Sequence, residues 1–392
     1  MGHNLVEQLN APQMPARLDA LRALRAEIDA GRWPKPQAGN DVNNHIHTTY
    51  SFSPYSPAKA IWMAYNAGLA TAGIVDHDSI SGAREFMEAG KILSMPTTVG
   101  FEIRATHTGT ALGTRRTNNP DQAGVSYITV HGVPHTQIGA ATDFLAPICE
   151  ARGRRNRAML ANINQTCGTS LDYDADILPL SQRHEGGSVT ERHLLYGLAL
   201  GLIAEHGKGE GLLGFLRGLV PVTGSAEALL SDSTNPHYAY DLLGLLKSHL
   251  VEKIYVPADA QECPDIGDVL CFADAHGMIA TYPYLGDVAQ SVTGDKKAQT
   301  FEDSFLDELF EELAALGFRA ISYMPSRNTM AQIERVRALC DRYGMMQICG
   351  EDINSPRQSF VCEAMRGPAF DNLRDATWAL IRATHKSAED TP

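Results

Sequence analysis

The sequence predicts an α/β protein in which a parallel sheet or barrel is interrupted by an all-helical insertion. Three observations predict it. Strand-like and helical runs alternate from residue 41 to about 133, and the same rhythm returns from 251 to 351. Between about 141 and 250 the helical period continues, and no strand of comparable quality breaks it. Side chains of metal-binding type recur at the ends of the strand-like runs, where such sheets and barrels collect their functional groups. The chain therefore divides into an N-terminal helical arm (1–40), a first barrel part (41–140), the insertion (141–250) and a second barrel part (251–392).

Each element has a local reason. Residues 16–30 carry Leu18, Leu21, Leu24 and Ile28 at helical spacing with Arg and Glu opposite, and Gly31, Pro34 and Pro36 stop the run. This arm packs on the body or on a second subunit, which hints at a homodimer. The first strand, 41–47, is followed by a helix at 57–68 opened by Pro57. Strands are expected at 69–75, 97–103 and 125–133, with a helix at 79–89. The insertion holds helices at 148–165, 190–204, 211–219 and 238–250. Strands at 251–256 and 278–282 with a helix between them resume the barrel. A helix at 301–316, a strand at 318–323, a helix at 329–343, a strand at 345–351 and a closing helix at 370–384 complete it.

Bulk numbers exclude several classes. With 392 residues, 44% hydrophobic and 20% charged, the chain can bury a large core and is not disordered. A net charge of -13 argues against wrapping a nucleic-acid polymer, although local arginines or metal ions could still receive a small anion. No apolar run suits a membrane span, and Met1-Gly2-His3-Asn4 lacks the charged-then-apolar pattern of a secretion signal. Seven cysteines without a Cys-x-x-Cys pair fit a reducing cytoplasm and read as buried packing residues.

The stretch Asn43-Asn44-His45-Ile46-His47-Thr48 carries the first chemistry. Residues two apart on a strand share a face, so His45 and His47 can aim two imidazoles at one point. Alone, this is a weak signal. Further strand-like runs end in Asp76-His77-Asp78, Gly100-Phe101-Glu102 and Gly350-Glu351-Asp352. Together with His131-Gly132 and Arg192-His193 they follow the motif order of the PHP (polymerase and histidinol phosphatase) family, and the chain resembles its stand-alone phosphoesterases from about residue 41 to 360.

The resemblance implies a distorted (β/α)7 barrel holding up to three divalent metals. Two ions about 3.5–4 Å apart can clamp the attacking and leaving oxygens of a phosphoester, with a metal-bound hydroxide as nucleophile. By resemblance His45, His47, Glu102 and Asp352 hold the first ion, and Glu102 and His131 the second. His135 competes with His131 for that place. His77 is a ligand or a catalytic contact, and Asp76 and Asp78 are supporting partners or helix caps. Arg192 and His193, opening a helix, suit the substrate phosphate. Arg327 and Arg357 could clamp a further anionic group. Arg152, Arg154, Arg155 and Arg157 read as a solvated or interface face of one helix.

Three departures temper this. Phe52 stands where the family has a ligand, Tyr282 where an Ala-His-Pro motif supplies one, and Asn354 where the last motif ends in His. Phenylalanine cannot coordinate, and an amide oxygen is a weak neutral ligand. The expectation is therefore two ions (zinc, manganese or iron), an empty or weak third site and a second site in question. The reading is a metal-dependent phosphoesterase acting on a small phosphorylated metabolite or nucleotide. The alternatives are a PHP-like binding module without turnover and a hydrolase of a non-phosphate bond.

Overall fold

A computed structural model describes residues 2–287, 300 and 302–386. Seven strands form one sheet in chain order: β1 (Val42–Ile46), β2 (Thr71–His77), β3 (Thr97–Thr106), β4 (Val125–His131), β5 (Ile279–Pro283), β6 (Ala320–Tyr323) and β7 (Met346–Cys349). Beyond β7 the chain returns to β1. The His47 N–H donates to the Ile353 carbonyl at 2.9 Å, and the Ile353 N–H donates to the His45 carbonyl at 3.1 Å. These bonds bring the two edges of the sheet together, which leaves the barrel nearly closed.

Among the described residues there are thirteen α-helices. The arm is α1 (Gly2–Gln8) and α2 (Met14–Asp29). Crossovers α3 (Pro57–Asn66) and α4 (Ala83–Leu93) flank β2. The insertion holds α5 (Ile138–Cys167), α6 (Glu191–His206), α7 (Glu210–Leu219), α8 (Gly224–Ser231) and α9 (Tyr238–Ile254). The barrel is completed by α10 (Ile266–Ala275), α11 (Leu306–Leu316), α12 (Met330–Tyr343) and α13 (Asp371–Thr384). The expected helix at 301–316 starts at Leu306, and Phe301 lies outside the described residues. Among the described residues no helix is long and apolar enough to cross a membrane.

Three expectations are corrected. The sheet is not all parallel, because β4 runs antiparallel to both β3 and β5. Parallel neighbours need a crossover, usually helical, whereas residues 107–124 form turns and loops that send the chain straight back. The segment 251–256 is not a strand. Leu243, Leu246, Leu250 and Ile254 extend the 3.6-residue period and bury in the insertion core, so α9 runs on to Ile254. The arginines of α5 divide: Arg154 and Arg157 sit at the surface, but Arg152 and Arg155 are buried.

The arm spends its apolar face on its own chain, with Leu18, Leu21, Leu24 and Ile28 in the barrel core. Arg17, fully buried, fastens it. Its guanidinium meets Glu85 of α4 at 2.6 and 2.9 Å and donates to the Ala11 and Pro12 carbonyls. Among the described residues two large apolar cores result, one around the barrel and one within the insertion. The α5 helix contributes Leu145 and Ile148 to the first and Met159, Leu160 and Ile163 to the second.

Candidate metal centre

The centre is assembled from strand ends. In β1 the side chains alternate. Asn44 points outward and donates to Thr377 of α13 at 2.8 Å. Asn43, on the other face, donates to the Glu351 carbonyl at 2.8 Å and so ties down the loop that carries Asp352. His45 and His47 follow on that face with ring centroids 5.1 Å apart. Register does the rest: His77 at the end of β2 pairs directly with Glu102 of β3, and Glu102 faces Thr129 of β4. Two residues along β4 from Thr129, His131 shares that face. No larger residue could replace Gly100 opposite it. A Cβ there would lie 2.2 Å from the Val130 carbonyl and 3.2 Å from the His131 Cα.

Glu102 is the hub. Its carboxylate lies 3.0 Å from His77 Nδ1, 3.6 Å from His45 Nε2 and 3.8 Å from His47 Nε2. His47 Nε2 is also 3.5 Å from Asp352 Oδ1. Two ligand trios share His47: His45–His47–Asp352 and His47–His77–Glu102. His77 therefore belongs inside the ligand cluster, and its ring stacks on His47 at 4.6 Å. His131 stands at the edge of these trios, buried, with Nε2 lacking any hydrogen-bond partner.

Electrostatics fit a ligand set. Burial opposes charge on Glu102, yet His77 and His45 hold its carboxyl well below the ordinary range. Asp352 is likewise lowered against its burial by His47, His45 and Arg192. Burial pushes His47 and His131 down to about 3, with nearby His77 acting on the first and His45 on the second. His45 is raised because Glu102 outweighs the burial penalty. Two ionised carboxylates and the imidazoles of His47 and His131, which resist protonation, offer lone pairs to a cation. With the orphaned Nε2 of His131, this donor set fits divalent metal ions.

Supporting residues orient the ligands. Asp76 accepts hydrogen bonds from the Thr48 N–H (2.6 Å), the Thr48 hydroxyl (2.6 Å) and the Ser51 hydroxyl (2.7 Å), which fixes the turn after His47. Ser51 Oγ in turn lies 3.4 Å from His47 Nδ1, leaving Nε2 aimed at Glu102 and Asp352. Asp78 takes a left-handed turn (φ 52°) and pairs with buried Arg152. The remaining partners of Arg152 form a buried ion network. Arg152, Arg155 and Arg104 of β3 surround Glu191 of α6 and Glu262.

A cavity of about 260 Å³ opens onto the cluster. Its barrel side carries His45, His77, Glu102, Tyr127 and Asp352. Its insertion side carries Met159, Thr190, Arg192, Leu195 and Val251. Arg192 reaches over the cluster and donates to Asn354 Oδ1 at 2.7 Å. The other expected anion-binding residues are placed differently. His193 turns back: the Thr190 N–H donates to its Nδ1 at 2.9 Å, capping α6, and its ring meets Phe52 at 5.0 Å. Arg357 pairs with Asp241 at 2.5 and 2.7 Å, away from the cavity walls. Arg327 likewise does not line the cavity. His135 belongs to neither trio and lies instead near the Thr384 carbonyl at the end of α13.

The three departures have acquired other partners. Phe52 packs with His193, Tyr196 and Tyr240 in the insertion core. The Tyr282 phenol donates to the buried carboxylate of Glu302 and accepts from the Asn118 N–H. Asn354 bridges Arg192 and Asp352. Sequence reasoning treated Asn354 only as a missing ligand. The usable signal was the Asp352-x-Asn354 spacing, which lets two side chains in extended chain lie on one side.

No family model matches the chain, and no curated protein matches it. Solved structures that share its fold include the following two. A protein of Bifidobacterium adolescentis assigned as a metal-dependent phosphoesterase is 18% identical, with a TM-score of 0.57 over 91% of this chain and 100% of that one. An amidohydrolase of Chromobacterium violaceum, solved with bound sulfate and no metal, is 16% identical, with a TM-score of 0.54 over 86% of this chain and 96% of that one. At these identities the likeness is one of fold.

Proposed function

We propose that the chain is a PHP-type, metal-dependent hydrolase of phosphate esters acting on a small phosphorylated substrate. The observation that carries the reading is the convergence of His45, His47, His77, Glu102 and Asp352 on one cavity that Arg192 also enters. Glu102, a member of the second trio whose carboxylate also faces His45 of the first, would help hold both divalent ions, and His131 would add a ligand to the second. Bound there, such ions supply Lewis acidity: they lower the pKa of a water and neutralise phosphate oxygens. Arg192 binds the substrate's anionic group as a fixed cation at the first turn of α6, where the helix dipole also favours negative charge. The insertion covers the reacting centre and limits the substrate to small molecules. Thr48, Ser51 and Asp76 keep His47 turned toward the ions.

The test is turnover of a panel of phosphate mono- and diesters by protein loaded with zinc, manganese or iron. Hydrolysis that chelator abolishes and metal restores is the expected result. Metal-loaded protein that hydrolyses none of these mono- and diesters would sink the reading. A second reading, hydrolysis of an amide, is favoured by the fold shared with the amidohydrolase. Arg192→Ala separates the two, because it should cripple phosphate-ester turnover by about 100-fold and spare an uncharged amide substrate.

A further inference from the structure

Asn354 lies between the cation that faces the substrate and a carboxylate of the metal cluster. Its amide oxygen accepts from Arg192 Nη1 at 2.7 Å, and its amide nitrogen donates to Asp352 Oδ1 at 2.7 Å. The orientation of the amide is chemically forced. A guanidinium can only donate and an ionised carboxylate can only accept, so a flipped amide would lose both bonds. The Asn354 backbone N–H is itself fastened to Gln358 Oε1 at 2.7 Å, and the side chain is buried. The same Oδ1 of Asp352 stands 3.5 Å from His47 Nε2. Asn354 therefore sets the rotation of a ligand carboxylate and the reach of Arg192 through one rigid group. On the neighbouring residue of that helical turn, Phe52 meets His193 edge to face at 5.0 Å, steadying the turn from the insertion core.

We propose that Asn354 is a positioning residue that holds Asp352 toward the metal ions and Arg192 toward the substrate's anionic group, with Phe52 steadying the same turn of α6. The Arg192 half rests on the phosphate-ester reading, and the Asp352 half rests only on metal binding. The two positions at which the resemblance implies ligands of a third ion thus serve to place a guanidinium over the site.

The experiment is a double-mutant cycle of Asn354→Ala and Arg192→Ala on the full chain, read by calorimetric binding of Mn²⁺ and then of inorganic phosphate to the metal-loaded protein. Asn354→Ala should weaken Mn²⁺ binding about 10–100-fold, as removal of a ligand's outer partner does. Arg192→Ala should not weaken it. Both should weaken phosphate binding about tenfold or more, and the double variant should be no worse for phosphate than Arg192→Ala alone, since Asn354 acts there through Arg192. Melting temperatures serve as the folding control. If Asn354→Ala does not fold, Asn354→Ser carries the same expectation. Unchanged Mn²⁺ affinity in the asparagine variant overturns the proposal, and so do phosphate losses that simply multiply. If the wild type binds Mn²⁺ but no phosphate, the phosphate-ester reading falls, and the Mn²⁺ comparison alone decides the role of Asn354.

Discussion

His45, His47, Glu102 and Asp352 could be picked out as candidates from sequence because each obeys a short rule: a period of two, or a place within or just past an apolar strand. The pairing of Asn354 with Arg192 and of Tyr282 with Asn118 could not, because each partner is far away in the chain. Asn354 meets Arg192 across 162 residues, and Tyr282 meets Asn118 across 164. At this scale Glu102→Gln, which keeps shape but removes charge from the hub, should strip bound divalent metal below the wild-type stoichiometry and abolish turnover. Elemental analysis checks it, and full metal content would disprove the bridging role. Glu302 gives a pH prediction. Burial raises its carboxyl to about 7, despite hydrogen bonds from Tyr282, Gly286 and Leu285 that favour the ionised form. A folded pKa above the unfolded value of 4.5 means the native state holds the proton more tightly. That contribution is complete below about pH 4.5 and is lost as pH rises through 7, a change on the order of 3 kcal/mol. The melting temperature of the wild type should therefore fall from pH 5 to pH 8 relative to Glu302→Gln; parallel curves would refute the assignment.

At the scale of elements, rhythm was readable and direction was not. The alternation of strand and helix located all seven strands. The reversal of β4 depends on a helix-free return at 107–124, and the strand expected at 251–256 is instead the end of α9, where Leu250 and Ile254 continue the helical period. The buried arginines of α5 were hidden for a similar reason. Charge in sequence reads as solvated until the partners Glu191 and Glu262 are known. Phe52 makes an element-scale prediction, since it joins the turn after β1 to α6. Phe52→Ala should cost about 3–5 kcal/mol, as large core truncations do, and should raise KM for a phosphate ester more than it lowers kcat. Denaturant titration and steady-state kinetics measure the two effects. A loss in kcat alone would argue against the clamp on α6.

For the molecule as a whole, the barrel with an inserted helical layer was legible, and what fastens the two was not. The fastening is ionic and buried: α5 supplies Arg152 and Arg155, β3 supplies Arg104, and Glu191 and Glu262 answer them. Glu262 is almost wholly buried, so Glu262→Ala would leave the guanidinium groups of Arg104, Arg152 and Arg155 to share Glu191, with Asp78 still paired to Arg152. The expected cost is about 3–5 kcal/mol, read by urea unfolding. A loss under about 1 kcal/mol would mean that water or Glu191 compensates fully.

The continuity of α5 has a consequence of its own. One unbroken helix of 30 residues is rooted in the barrel at one end and forms a wall of the insertion at the other. Its one helix-breaking residue, Pro147, lies between Leu145 and Ile148 in the barrel core, so the stretch that carries the roof has no proline hinge and the chamber keeps its gauge. On the phosphate-ester reading proposed above, reactants would then be sorted by girth before any bond chemistry begins, and a chain-like phosphoester would offer only its end.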